Sequence, residues 1–74
     1  MPLGGYWIKE EENILRELWN NKAVSLQEIA RIMMRTTAAV KAKARSMDLG
    51  SREILEATWR VEEIKRRMQE VVEA

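Results

Sequence analysis

The stretch 25–49, SLQEIARIMMRTTAAVKAKARSMDL, constrains the chain more than any other. It reads as two short helices joined by a tight turn. Ser25 opens a capping box: its hydroxyl can accept from the Glu28 backbone N–H while the Glu28 carboxylate reaches back to the Ser25 N–H. Leu26, Ile29, Ala30 and Met33 then fall on one inner face, and Arg31 and Arg35 point outward. Ala30 is small enough to let a following helix cross closely. Thr36 is the expected N-cap of the next helix, with Thr37, Ala38 and Ala39 as its first turn. Val40, Ala44 and Met47 share its core side by the three- and four-residue rule. Ala38, Lys41, Ala42, Arg45 and Ser46 are left on the far side. No acidic residue stands between Arg35 and Asp48, whereas a helix that only has to be soluble mixes both signs.

The flanking segments support this pair of helices. Pro2, Gly4 and Gly5 make residues 1–6 a loose arm. A first helix follows, running to about Asn20, with Ile14, Leu15, Leu18 and Trp19 as its buried stripe and Trp7 folding back onto it from in front. Glu10, Glu11 and Glu12 fall in the first turn, where the helix dipole favours carboxylates, and are expected to be solvated. Asn20, Asn21 and Lys22 mark the exit, since asparagine tolerates left-handed backbone. Gly50 ends the third helix and Ser51 can cap a fourth that continues to about Glu73, roughly 33 Å at about 1.5 Å per residue. Its pattern is a heptad: Ile54, Val61 and Met68 at one position, Ala57, Ile64 and Val71 three residues later. Leu55 and Trp59 add a second apolar strip.

Two arrangements of the last helix follow. Either one strip docks on the first three helices and the other meets a partner, or both are buried within one subunit. The heptad favours a homodimer through Ile54, Ala57, Val61, Ile64, Met68 and Val71. An antiparallel pairing about Val61 brings Glu53 towards the partner's Arg67, and is preferred to a parallel one that sets Arg60 against Lys65. The expected architecture is all-α: a three-helix bundle over residues 7–50, followed by a long C-terminal helix over 51–74. No period-two alternation of the kind a half-buried strand needs is sustained anywhere.

Composition narrows the chemistry. The chain has 74 residues with no cysteine and no histidine. Disulfide staples, the usual zinc sites, thiol nucleophiles and histidine general bases are thereby excluded. No acid–base pair converges, so an enzyme is not expected, nor a cofactor, a metal or a small-molecule ligand. No apolar run approaches the roughly 20 residues of a membrane span, and MPLGG has no basic region followed by an apolar one, so a cytoplasmic protein is expected. Net charge is only +1, but its distribution is uneven. Residues 25–50 carry five basic and two acidic side chains, against three and four before them and five and six after.

The run Trp7-Ile8-Lys9-Glu10-Glu11, followed by Ile14-Leu15 and Leu18-Trp19, resembles the opening of Myb/SANT-like helix-turn-helix domains. The likeness is greatest to the N-terminal domain of the GcrA cell-cycle regulators. Glu28-Ile29-Ala30, Arg35-Thr36, Ala39-Val40, Lys43-Ala44 and Leu49 are similar to the same group. The resemblance spans about residues 7–49. It implies a three-helix bundle whose third helix enters the major groove, with contacts from Arg35, Thr36, Thr37, Ala38, Lys41, Ala42 and Arg45. The chain departs from the pattern at Ile8, where serine or threonine is common. It departs again at Met34, where glycine is, and at Met47-Asp48-Leu49 in place of Leu-Gly-Leu.

The residues themselves point the same way. Lys41, Lys43 and Arg45 could simply be a solvated face. The missing acid, the outward alanines and the preceding helix argue instead for a surface that reads duplex DNA. Ala38 and Ala42 let the backbone approach base edges, Lys41 and Arg45 reach guanine or phosphate, and Thr36 and Thr37 take phosphate oxygens. The expected function is a sequence-preferring regulator acting as a dimer in the cytoplasm, nucleoid-associated if bacterial or viral. A SANT-like protein-interaction module, or a viral DNA-packaging or repressor subunit on the same plan, is the alternative.

Overall fold

The computed structural model of the chain describes residues 6–52 and 61–73. Over these residues the protein is all-helical, with α1 (Lys9–Trp19), α2 (Leu26–Met33), α3 (Thr37–Ser46) and α4 (Val61–Glu73) in chain order and no strand. Ile14, Leu15 and Leu18 of α1, Ile29 and Met33 of α2, Val40 of α3 and Met68 of α4 are all but sealed from solvent. They belong to one apolar cluster that also takes Trp19, Val24, Ala30, Ala44, Val61, Ile64 and Val71.

Each helix starts and stops for a local reason. Ser25 Oγ accepts from the Glu28 N–H at 3.1 Å, which is half of the expected capping box. The other half is spent elsewhere: the Glu28 carboxylate meets Arg31 at 3.0 Å and Lys65 of α4 at 3.7 Å. Thr36 caps α3 as expected, its Oγ1 accepting from the Ala39 N–H at 3.0 Å. Both α2 and α3 close with paired turn bonds. Arg35 N–H donates to Ala30 O and Met34 N–H to Arg31 O; after α3, Leu49 N–H donates to Ala44 O and Asp48 N–H to Arg45 O. The left-handed residue each closure needs is Met34 (φ 60°) in the first case and Asp48 (φ 58°) in the second. Gly50, expected to end α3, lies beyond that closure, with φ 74°. Asn20 ends α1 at φ −111° and is not left-handed.

The loop between α1 and α2 is held from the far end of the domain. Buried Asn21 accepts the Ala23 N–H on its side-chain oxygen at 2.9 Å. Arg52 donates to the carbonyls of Asn21 and Val24, and Trp19 Nε1 donates to Gly50 O at 3.2 Å. Ser51 and Arg52 are irregular backbone, so no helix begins directly after Ser51. Burial pushes the Arg52 guanidinium below its ordinary range.

α4 is a full member of the core. It packs chiefly along α1 and also touches α2. Arg67 ties it to α1 through Glu17 at 2.8 Å and Glu10 at 3.3 Å, and these hydrogen bonds, Glu17 first, hold its pKa above the ordinary arginine value. No helix among the described residues is long and apolar enough to cross a membrane.

Candidate nucleic-acid interface

α3 turns Val40 and Ala44 inward and leaves Ala38, Lys41, Ala42, Arg45 and Ser46 exposed. Thr36 is exposed at its start and Thr37 half-buried. The outward surface is therefore a strip of alanine methyls with a hollow along each flank. On one side lies a hollow of about 390 Å³, walled by Lys41, Ala44 and Arg45 against Trp19, Asp48, Gly50 and Ser51. On the other lies one of about 330 Å³, walled by Ala39, Ala42, Lys43 and Ser46 against Trp7. At about 100° of rotation per residue, Lys41 and Lys43 stand some 200° apart and so belong to opposite flanks.

Two cations expected on this surface are withdrawn from it. Arg35 does not point outward as its spacing predicts: its side chain is only 3% exposed. Its Nη2 donates to Glu11 Oε2 at 3.0 Å and to Tyr6 O at 2.7 Å, and its guanidinium lies over the Trp7 ring, 4.0 Å from the centroid. The cause is the left-handed turn at Met34, which reverses the chain and aims residue 35 at α1. Lys43 is likewise turned back: its Nζ sits 2.9 Å from Glu12 and 5.8 Å from the Trp7 centroid. The hydrogen bond from Lys43 outweighs partial burial and holds the Glu12 carboxyl below the ordinary glutamate value of 4.5.

The same contacts correct the reading of the first-turn glutamates. Glu11 is not solvated; its side chain is 1% exposed, accepting Arg35 on Oε2 and the Ile8 N–H, at 3.1 Å, on Oε1. A signal for this was present in the sequence. Glu11 stands three residues after Ile8, the spacing at which a glutamate carboxylate reaches back to the backbone N–H of the residue before the helix.

The expected dimer seam is used differently. Val61, Ile64, Met68 and Val71 are buried in the subunit's own core. Within the subunit they are covered by its own α1 and α2. Arg67, assigned to an ion pair across the dimer, is taken by Glu10 and Glu17 of its own chain. The reason is length: residues 7–50 form too small a core to cover the stripe of α1, and the last helix supplies the missing side. Ile54, Ala57, Glu53, Leu55, Trp59 and Arg60 lie outside the described residues.

The exposed ridge thus consists of Thr36, Ala38, Lys41, Ala42, Arg45 and Ser46, with Thr37 beneath its start. Among the described residues no group of three or more acidic side chains is placed to hold a metal ion. Comparison with protein-family models, with curated proteins and with solved structures finds no match to this chain.

Proposed function

We propose that the chain is a sequence-preferring double-stranded DNA-binding protein, a small transcriptional regulator on the Myb/SANT-like helix-turn-helix plan, with α3 lying in the major groove. The observation that carries this is the outer face of α3: Lys41 and Arg45 exposed, Ala38 and Ala42 exposed beside them, and no carboxylate before Asp48. In the groove, Arg45 and Lys41 meet guanine edges or phosphate, the alanine methyls meet thymine methyls, and Thr36 and Thr37 meet phosphate at the helix start. Arg35 and Lys43 act at one remove, by fixing α3 to α1.

Magnitudes limit what one copy can do. With two cations on the ridge, the logarithm of the binding constant should fall with log salt at a slope of about −2, or about −0.9 per phosphate neutralised. Non-specific affinity of such a module is about 10⁻⁴–10⁻⁶ M at physiological salt. A second copy on a half-site one helical turn away, about 10 bp, would supply the rest. In this reading the homodimer contact lies outside the described α4 seam, and the protein works in the cytoplasm, on the nucleoid if it is bacterial or viral.

Fluorescence anisotropy on random-sequence duplex, at low and moderate salt, tests the reading. The double variant Lys41→Ala, Arg45→Ala is expected to lose most binding and to flatten the salt slope by nearly two units. Wild-type protein that binds no duplex at any salt would end it. A SANT-like protein-interaction module is the second reading. It is favoured by the engagement of Arg35 and Lys43 in internal ion pairs, which leaves a weakly cationic surface on a chain of net charge +1.

A further inference from the structure

A helix lying in a major groove runs between two phosphate backbones, and the two flanks of α3 are unequally equipped for them. The Trp19 flank offers Lys41, Arg45 and Ser51. The Trp7 flank offers Ser46 and Lys43, and Lys43 is paired with Glu12 at 2.9 Å. A backbone passing on that side would find few donors on α3 itself. Next to Trp7 in the chain stands Tyr6, 79% exposed, an aromatic with no part in the core.

Its main chain is held. Arg35 Nη2 donates to Tyr6 O at 2.7 Å, and Arg35 immediately precedes Thr36, the cap of α3. The guanidinium is itself fixed between the Trp7 ring and Glu11. Tyr6 is thus fastened to the start of the helix proposed to read DNA, by a bond that does not involve its side chain. A phenol is a good phosphate donor, and tyrosine is among the side chains that bond phosphate oxygens in DNA complexes.

We propose that Tyr6 is a DNA-contacting residue, its hydroxyl donating to a backbone phosphate on the Trp7 flank of α3. This rests on the DNA-binding reading above. Being neutral, Tyr6 adds affinity without releasing a counterion, so its contribution has a signature unlike that of Lys41 or Arg45.

The test is duplex binding by wild type, Tyr6→Phe and Lys41→Ala, followed across a salt series, with thermal unfolding of each. Tyr6→Phe keeps the ring and the Arg35–Tyr6 main-chain bond, so its unfolding midpoint should match wild type. Its affinity should fall roughly tenfold at every salt concentration, as for loss of one hydrogen bond to a charged group, with the salt slope unchanged. Lys41→Ala should instead flatten the slope by about 0.9. If Tyr6→Phe binds within twofold of wild type while Lys41→Ala weakens, the Tyr6 assignment is overturned and the α3 reading stands. If wild type itself binds no duplex, both are overturned.

Discussion

Arg35 reaches three partners at once: the Glu11 carboxylate, the Tyr6 carbonyl and the face of Trp7. Its neighbours in sequence are a methionine and two threonines, and nothing local distinguishes it from Arg31, which is 77% exposed. What separates them is the turn at Met34 and the arrival of α1 beside it. A buried pair of this kind is costly to break from one side, because the remaining charge has no water to return to. Arg35→Ala should therefore destabilise the protein by about 3–5 kcal/mol, measured by urea denaturation. A native stability of roughly 4–11 kcal/mol is expected for a chain of this size, so much of it would go. A residue whose only role was to touch DNA would change binding and leave the urea midpoint in place. Glu11→Gln should cost less, since an amide oxygen can still accept the Ile8 N–H.

The closures of α2 and α3 explain why two helices of 8 and 10 residues end where they do. A left-handed residue is what brings the paired turn bonds into line, and glycine adopts it without a Cβ clash. Met34 does so with a side chain that is 57% exposed and does little packing. Left-handed backbone costs a residue of this kind about 1–2 kcal/mol, while glycine loses part of that again through the entropy of the unfolded chain. Met34→Gly is accordingly expected to stabilise the protein by about 1 kcal/mol, a rise of about 4–8 °C in melting temperature for a domain of this length. A fall in the midpoint would mean that Met34 holds contacts other than those seen at the turn. An apolar heptad read along one helix, as in α4, says that a face will be covered, and does not say by which surface. Here α1 and α2 cover it.

At the scale of the molecule, the described residues share one core to which α1, α2, α3 and α4 all contribute, so α4 is not an appendage to a self-sufficient bundle. Val61, Ile64, Met68 and Val71 are each worth about 1.5–3 kcal/mol of burial, or about 6–12 kcal/mol together. That is comparable with the entire expected stability of about 4–11 kcal/mol. A chain cut after Arg52 should therefore show no cooperative urea transition and little near-UV circular dichroism, whereas a free-standing three-helix domain would keep both. Much of the site was legible beforehand. The caps at Ser25 and Thr36, the inward Val40 and Ala44, and the outward Ala38, Lys41, Ala42 and Arg45 follow from spacing within one or two turns of helix. Such spacing is fixed by the geometry of the α-helix and needs no knowledge of the rest of the chain. The positions of Glu11, Arg35 and Lys43 were not legible in the same way, nor was the partner of the α4 seam. A charged side chain is solvated or buried according to whether an opposite charge from a distant segment meets it, and an apolar face is indifferent to what covers it. Those outcomes were set when α1, the turn after α2 and α4 came together.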